Sequence, residues 1–493
     1  MTAPAASILS LLLCLAGSAR GDTDRWYEIE IAGMACGYLH EQVERTDDRV
    51  RSRAEERFVI SRDGLRVEVA QTVLFEQDLR GKPIRSEVLV QSGGDDQPVV
   101  YEFTPNKILR TTTRHGLAST DSIILENEDW LTPLEATEFV AERIAAGART
   151  LEYRTVEPAD DMRLVEIRSE LVGDGSFDYR GRSIPVTRWR TRTSGSPIEL
   201  IELRAIDGTV VSSEAELGIG PMRLRLVERE RALRALEGPA PELLVSLVVS
   251  VPGMPSRSDR TRRASYRVRV EALEDFTLPE AGAQRVNREL DGALRVEVDA
   301  SRGSPATDSE IEDPAYLASS DLIDFKDPEV VRFGERALRG VSADRLERAA
   351  TLRQAVARHM SRKNFATAFA SASDAVRSRQ GDCTEHAVLL AAVLRADGIP
   401  ARVATGLVHA SIPGSSQAGF AWHMWVQALV DGSWLDLDPT RALDFDGGHL
   451  LVSTSALERG GAQEELSEIL PLLGRLEIEL LEIDGRTPKQ GRR

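Results

Sequence analysis

The sequence predicts an α+β protein, with a β-rich antiparallel N-terminal region and a C-terminal domain that combines helices with antiparallel strands. Two observations support this prediction. From residue 24 to about residue 251, short segments alternate apolar and polar residues with period two, as half-buried strands do. Near the C-terminal end, an apolar helical run follows Cys383, and two apolar runs flank Asp431-Gly432-Ser433 in a hairpin pattern.

The composition indicates an acidic protein with several domains. A length of 493 residues allows about three domains of the usual size. Asp and Glu number 79 against 62 Lys and Arg, a net charge of -17, and the sequence has no basic block or aromatic-basic interleaving. We therefore expect no nucleic-acid partner. The N-terminal region contains no glycine-rich phosphate loop, metal cluster or cofactor motif, so we expect no cofactor.

The first residues predict export. Residues 5–16 form an apolar stretch that is too short to span a bilayer comfortably, and Ala19-Arg20-Gly21 follows it with the small residues that signal peptidase prefers. We interpret residues 1–21 as a signal peptide and expect a periplasmic or secreted protein with no transmembrane span. After cleavage only Cys36 and Cys383 remain, which is too few for a disulfide framework.

The N-terminal region, residues 22–250, is predicted to be one large curved antiparallel sheet or two stacked ones, built as one unit or two. The clearest strand patterns are Trp26–Ile31, Leu65–Val69, Glu87–Val90 and Met222–Leu226, with a short helix at Pro133–Ala146. Nothing in these patterns identifies a ligand. We expect a scaffold or binding module.

Three further segments complete the predicted organisation. Residues 251–300 form a connecting segment with strands at Tyr266–Val270 and Leu294–Val298, and residues 301–314, rich in Ser, Asp and Glu, form a linker. Residues 315–480 form the C-terminal domain. Residues 481–493 are polar and are expected to be a disordered tail.

Cys383 is predicted to lie at the start of a helix. The residues after it, Ala387 to Arg395, are rich in helix formers, and the run ends at Asp397-Gly398. Free backbone N–H groups and the helix dipole favour a thiolate at such a position, where cysteine pKa values fall to roughly 3.5–7.5 from about 8.5. We therefore expect a reactive thiol.

His423 and a following aspartate are predicted to meet across a hairpin. The strand Phe420–Val430 carries His423, and the run Trp434–Asp438 returns beside it after an Asp-Gly turn. Asp436 and Asp438 are two residues apart in this run, so their side chains lie on the same face of the strand. Spacing alone therefore leaves both as possible partners for the imidazole. A thiol, an imidazole and a carboxylate in this order can form a nucleophile, its base and the group that orients the base.

Cys383 has two alternative roles, as a buried structural residue or as a metal ligand. A cysteine in an apolar helix is often a small buried hydrophobe, but the position of Cys383 at the helix start argues against that. A metal site could use Cys383 and His386 with His409 or His423, yet no second ligand pair has zinc-like spacing, so we expect no metal. His40, His115, His359 and His449 show no pattern and are expected at surface or structural positions.

The motifs of this region resemble those of the transglutaminase-like superfamily of papain-like cysteine enzymes, over roughly residues 315–480. They are Gly381-Asp382-Cys383, Gly398-Ile399-Pro400-Ala401-Arg402-Val403, His423-Met424-Trp425 and Asp436-Leu437-Asp438-Pro439-Thr440. The resemblance implies a papain-like/transglutaminase-like fold in which Cys383 is the nucleophile, His423 the base and Asp438 the orienting carboxylate. Asp436 is then the second choice.

The resemblance also implies the reaction: cysteine-dependent acyl transfer at amide bonds of peptides or proteins, through a thioester. Hydrolysis by a peptidase or amidase is slightly favoured, because nothing in the sequence marks a site for an amine acceptor. The alternatives are a protein-glutamine transamidase that cross-links proteins and a catalytically idle envelope scaffold or binding protein. We expect a peptide or protein substrate.

Overall fold

A computed structural model describes residues 22–62, 65–91, 98–114, 117–125, 129–218, 220–242, 248–251, 261–271, 276–363, 370–411, 418–441, 444–458 and 469–487. The chain divides into two compact units, with the division after residue 242. We call them the N-terminal unit and the C-terminal unit. The predicted signal peptide lies outside the described residues.

The N-terminal unit is built on one 14-stranded antiparallel sheet within its described residues. Its strands are β1 Thr23–Ile31, β2 Met34–Arg45, β3 Arg49–Arg62, β4 Leu65–Asp78, β5 Pro83–Gln91, β6 Val99–Phe103, β7 Ile108–Arg114, β8 Leu117–Ile123, β9 Thr150–Glu157, β10 Arg163–Tyr179, β11 Arg182–Thr193, β12 Glu199–Ala205, β13 Val210–Glu216 and β14 Pro221–Val227.

Two meanders make up this sheet, because β1 to β8 follow one another across it, as do β9 to β14, and β1 pairs with β14. The structure therefore has the first of the two predicted arrangements, one large sheet. Helix α1, Pro133–Ala145, connects the meanders and begins at a capping box of Thr132 and Glu135, as expected where Pro follows a threonine. Helix α2, Arg229–Ala235, follows β14.

The C-terminal unit contains three sheets within its described residues, with β24, β23, β22 and β25 side by side in the largest. Its strands are β15 Val249–Ser250, β16 Arg263–Val270, β17 Gln284–Arg288, β18 Leu294–Asp299, β19 Ser304–Pro305, β20 Arg362–Lys363, β21 Gln380–Gly381, β22 Ala401–Ser411, β23 Ala418–Val430, β24 Ser433–Leu437, β25 His449–Ser455 and β26 Leu476–Ile483.

One helix forms the centre of this unit. The helices are α3 Asp308–Glu312, α4 Pro328–Ala337, α5 Arg345–His359, α6 Ala372–Ser378 and α7 Cys383–Ala396. Helix α7 contacts α4, α5 and α6 as well as strands β22 and β23. Its residues from Thr384 to Arg395 are all buried, as the Ala-, Val- and Leu-rich sequence requires. The apolar core of the unit surrounds this helix.

The segment predicted as a linker, residues 301–314, is instead part of the C-terminal unit. It contains β19, which pairs with β24, and α3, whose Glu310 forms an ion pair with Arg402 at 2.7 Å. Two of the acidic residues that suggested a linker cap helices here, since Glu310 forms a capping box with Thr307 and Asp313 accepts a hydrogen bond from the Ala315 N–H. The same composition fits both roles.

The predicted connecting segment and tail also differ from expectation. Strands β16, β17 and β18 form a four-stranded sheet with β26, which extends to Ile483. The part of the chain from residue 263 to residue 299 therefore belongs to the same unit as the predicted catalytic domain. Among the described residues, no helix is long and apolar enough to cross a membrane.

Candidate active site

The start of helix α7 places Cys383. Asp382 is the N-cap and accepts a hydrogen bond from the Thr384 N–H at 2.8 Å, while the Glu385 carboxyl accepts one from the Asp382 N–H at 2.8 Å. Gly381 has φ +147°, and a Cβ there would lie 2.5 Å from the Glu385 Cβ. Glycine is therefore required before this cap, and Cys383 occupies the first helical position.

The predicted hairpin brings His423 and Asp438 together. Strands β23 and β24 pair from Val426 with Leu437 to Val430 with Ser433, around a turn in which Asp431 and Gly432 both have positive φ. Asp438 directly follows β24. His423 Nε2 lies 3.1 Å from Asp438 Oδ2, and both side chains are buried.

The third predicted residue completes the group. The Cys383 thiol lies close enough to the His423 imidazole for each group to shift the pKa of the other. Because Nε2 of that ring faces Asp438, we infer that Nδ1 is the nitrogen available to the sulfur. Cys383 keeps part of its surface exposed, whereas Asp438 is fully buried. The structure thus brings the three predicted site residues together, with His423 hydrogen-bonded to Asp438 and the partly exposed thiol beside the imidazole.

The electrostatics of the series favour separated charges. Burial and the Asp382 carboxylate raise the pKa of the Cys383 thiol, but the hydrogen bond and charge of His423 oppose them, and the net pKa lies below the ordinary value. Burial lowers the pKa of His423, yet Asp438 and Cys383 raise it to about 10. At neutral pH this arrangement favours an imidazolium beside a readily ionised thiol.

Asp436, the alternative partner for the imidazole, has other contacts. Its carboxylate accepts hydrogen bonds from the Trp425 indole at 2.8 Å, the Gln427 amide at 2.9 Å and the Ala283 N–H at 2.7 Å. Burial raises its pKa, and these hydrogen bonds oppose the rise. The orienting contact to His423 comes from Asp438. Asp436 joins the hairpin to the segment before β17.

His449, expected at a surface or structural position, lies within the site. Its Nε2 is 3.3 Å from Asp438 Oδ2, and its Nδ1 is 3.1 Å from Asp446 Oδ1. The residue is 1% exposed, and its ring centroid lies 5.9 Å from that of His423. Asp438 therefore lies between two imidazoles. The sequence carries little signal for this, because β25 must first pair with β22 to bring His449 to the site.

The other histidines lie in different surroundings. His359 Nε2 lies 2.7 Å from the Val376 carbonyl, and His40 Nε2 lies 2.7 Å from Asp24 in the N-terminal unit. His386, the alternative metal ligand three residues after Cys383, donates Nδ1–H to the Asp382 carbonyl at 2.6 Å, and burial lowers its pKa. His115 lies outside the described residues.

A metal ion could use one set of side chains in the described residues. The ligand atoms of His423, Asp438 and His449 lie within 4.8 Å of one another. Both Nε2 atoms, however, point at the same oxygen of Asp438 at hydrogen-bond distance. We interpret the set as a hydrogen-bonded network, in which the histidine N–H protons occupy the positions that a metal ion would need.

Comparison with known proteins finds a family match for one segment of the chain. Residues 332–439 match the model of the transglutaminase-like superfamily, so the resemblance is confirmed over a span that includes Cys383, His423 and Asp438. An uncharacterized protein of Mycobacterium leprae, ML0607, is 30% identical over 107 residues. The alignment covers 21% of this chain and 35% of that protein, about a third of its length.

Two solved structures are similar to parts of the chain. A beta-barrel-like protein of a domain of unknown function from Brucella abortus covers 42% of this chain and 96% of its own, at 11% identity and a TM-score of 0.34. The periplasmic domain of TgpA from Pseudomonas aeruginosa covers 39% and 92%, at 19% identity and a TM-score of 0.23. TM-scores this low do not bear on the function of this chain.

Proposed function

We propose that the C-terminal unit catalyses cysteine-dependent acyl transfer at amide bonds of peptides or proteins. The observation that carries this proposal is the series from the Cys383 thiol through His423 to the buried Asp438. It lies within the segment that matches the transglutaminase-like superfamily. Cys383, His423 and Asp438 are the proposed catalytic residues.

The first half of the reaction forms a thioester. The Cys383 sulfur adds to the carbonyl carbon of the substrate amide, and the negative charge moves to the carbonyl oxygen, which the Cys383 N–H at the helix start can stabilise. The carbon–nitrogen bond then breaks, and the leaving amine takes the proton held on Nδ1 of His423. Asp438 keeps the other ring nitrogen protonated and the ring in place throughout.

The second half releases the acyl group. Neutral His423 accepts a proton from an incoming water, whose oxygen adds to the thioester carbon, and the carbon–sulfur bond breaks to return Cys383 as a thiolate beside the imidazolium. The products are a carboxylic acid and the free amine. A lysine amine in place of water would give a new amide and thus cross-linking. Hydrolysis is the slightly favoured outcome, because no acceptor site for an amine is marked.

We also propose that the enzyme acts outside the cytoplasm, on peptides or proteins there. The apolar residues 5–16 and the small residues at Ala19 and Gly21 support export. N-terminal sequencing of the exported form should begin at Arg20 or Asp22. A cytosolic product that retains Met1 would contradict export without affecting the proposed chemistry.

Mass spectrometry of substrates tests the reaction. Purified wild-type protein is incubated with casein and with glutamine-containing peptides, with and without a primary amine, and hydrolysis, deamidation and amine incorporation are scored together. Peptide-bond hydrolysis or deamidation supports a peptidase or amidase, and amine incorporation supports a transamidase. Each product must disappear in Cys383→Ala and persist in Cys36→Ala, the matched control. Absence of all three products across the substrate set would favour the idle scaffold.

A further inference from the structure

Asp438 is held by more donors than orientation of one imidazole requires. Its Oδ1 accepts a hydrogen bond from the Thr440 N–H at 2.8 Å, and its Oδ2 faces Nε2 of His423 at 3.1 Å and Nε2 of His449 at 3.3 Å. Both imidazoles therefore compete for the same oxygen. In the proposed reaction only the first of them faces the sulfur.

Counting donors and acceptors gives the protonation state of His449. Its Nδ1 lies 3.0 Å from the Asp446 carbonyl and 3.1 Å from the Asp446 carboxylate, both of which only accept hydrogen bonds. Its Nε2 faces the Asp438 carboxylate, which also only accepts. Both ring nitrogens must then carry hydrogen, and the ring is an imidazolium. The pKa of His449 is accordingly raised, because hydrogen bonds to both carboxylates outweigh burial.

The surroundings suit a buried cation. The Phe445 ring stacks on His449 with centroids 4.2 Å apart, and the Trp425 ring meets it edge-on at 5.4 Å. The charged groups that face it are Asp438, Asp446 and the imidazolium of His423. Beyond these, Asp436 is close enough to interact with its charge, and Arg441 forms an ion pair with Asp446 at 3.0 Å.

Backbone pairing and loop contacts hold His449 in place. His449 begins β25 and pairs with Val408 of β22, so its backbone belongs to the same sheet as His423. Asp446 is held by the Gly448 N–H at 2.9 Å. The buried Arg353 donates a hydrogen bond to the Arg441 carbonyl at 3.2 Å. This contact supports the chain between Asp438 and Asp446.

We propose that His449 is a positioning residue that shares Asp438 with His423 as a buried imidazolium, and that this sharing limits how firmly Asp438 holds the His423 proton. The catalytic role of this sharing rests on the proposed function. An imidazolium held too tightly is a poor acid for the leaving amine, whereas one that shares its carboxylate releases the proton more readily. The two positive rings also repel each other across 5.9 Å.

The test is an NMR titration that needs no turnover. Because the Cys383 thiolate raises the pKa of His423, the full-length chain carrying Cys383→Ala is used, so that His423 titrates at lower pH. The chain is labelled with ¹⁵N- and ¹³C-histidine. We expect both nitrogens of His449 to be protonated at pH 7. In His449→Phe, which keeps a ring against Phe445, we expect the His423 titration to move upward by about one pH unit.

Further variants separate charge from packing. His449→Gln keeps an N–H donor but loses the charge, so it should also move the His423 titration upward. Asp446→Asn keeps both rings and removes one of the two carboxylates that stabilise the imidazolium, so the titration of His449 should move downward. This variant tests the charge of His449 if neither His449 variant folds. His359→Phe, another histidine packed on a phenylalanine ring, should leave the titration of His423 unchanged.

The outcomes are distinct from those of the proposed reaction. A neutral His449 at pH 7, or a His423 titration that stays or moves downward in His449→Phe, would overturn the inference even if the enzyme is active. A wild-type protein without turnover on any amide would contradict the proposed function, while the titration would still decide whether His449 shares Asp438.

Discussion

The two cysteines in the described residues lie in opposite environments, one in each unit. Cys36 is a buried residue of β2, and burial raises the pKa of its thiol to about 12. Cys383 begins α7 beside His423, and its pKa lies below the ordinary value. Burial opposes ionisation of both thiols. A neighbouring imidazole therefore lowers the pKa of one thiol, whereas burial without such a neighbour raises that of the other.

Glu157 and Glu56 of the N-terminal unit differ in the same way from Asp438 of the C-terminal unit. In the N-terminal unit, burial and the Asp160 carboxylate raise the pKa of Glu157 to about 8, and burial and Glu157 raise the pKa of Glu56 well above its usual range. In the C-terminal unit, burial also acts to raise the pKa of Asp438, but the two imidazoles hold it well below its usual range. At pH 7 we therefore expect Glu157 and Glu56 to be protonated and Asp438 to be charged.

The largest expected effect separates the two thiols by activity. Cys383→Ala should lower turnover roughly a millionfold, as the loss of a nucleophile does in a comparable triad. Cys36→Ala should leave it unchanged, because that thiol is buried in the N-terminal unit and protonated. The measurement is the steady-state rate on the best substrate found by mass spectrometry. Equal activity of both variants would remove the functional contrast between the units.

A second prediction separates the two aspartates of the hairpin. Asp438→Asn should lower turnover roughly ten-thousandfold, because an amide in place of the carboxylate favours the wrong imidazole tautomer. Asp436→Asn should cost far less, since Asp436 faces the Trp425 indole, Gln427 and Ala283. Steady-state rates on one substrate give the ratio. A larger loss in Asp436→Asn would show that Asp436 orients the base.

Local sequence patterns were sufficient for most elements of the candidate site. The helix that starts at Cys383 and the hairpin that carries His423 depend on caps, turns and periodicity over about ten residues, and both are present as predicted. The family resemblance supplied the choice of Asp438 over Asp436, which the pattern left open. The structure places Asp438 against the imidazole.

Nonlocal pairing explains what the sequence did not predict. His449 reaches Asp438 only because β25 pairs with β22, and no short-range pattern sets that register. For the same reason the local pattern of β16 to β18 predicts only a connecting segment, although these strands form a sheet with β26 near the other end of the unit. The residues around Thr307 match a linker pattern because helix caps and linkers share a composition.

A third prediction compares the thiols directly by alkylation. With iodoacetamide at pH 7, Cys383 should be labelled roughly a hundredfold faster than Cys36, since the latter must be exposed by local unfolding and is protonated. His423→Ala should slow labelling of Cys383 at pH 6 by roughly tenfold, because it removes the cation that stabilises the thiolate. Peptide mass spectrometry measures both sites in one sample, and His359→Ala is the control.

Cys383 labelling at the rate of a free thiol, with no change in His423→Ala, would mean that the imidazole does not activate it. Together with full activity of Cys383→Ala, that result would replace the enzyme interpretation by the scaffold one. Faster labelling of Cys36 would instead place the reactive thiol in the N-terminal unit and reverse the comparison.

The smallest expected effect concerns the stability of the N-terminal unit. The pKa of Glu157 is raised to about 8 in the folded chain, above its value in the unfolded chain. Its contribution to stability is therefore complete below the unfolded pKa and is lost as pH rises through the folded pKa. Glu157→Gln cannot ionise. Its free energy of unfolding, taken relative to that of wild type, should therefore increase from pH 5 to pH 8.5. Because part of the Glu157 side chain is exposed, we expect a gain on the order of 2 kcal/mol.

Urea unfolding at the two pH values, followed by hydrogen–deuterium exchange of peptides from β3 and β9, measures this gain for the N-terminal unit alone. Glu152→Gln is the matched control, because Glu152 lies on the same strand, is exposed and pairs with Arg168 at the surface. Its effect should be small and equal at both pH values. If Glu157→Gln gains no more stability than this control, Glu157 is charged in the folded chain at pH 8.5 as at pH 5. Glu157 and Asp438 would then not differ in charge state, and of the two contrasts between the units only that of the thiols would remain.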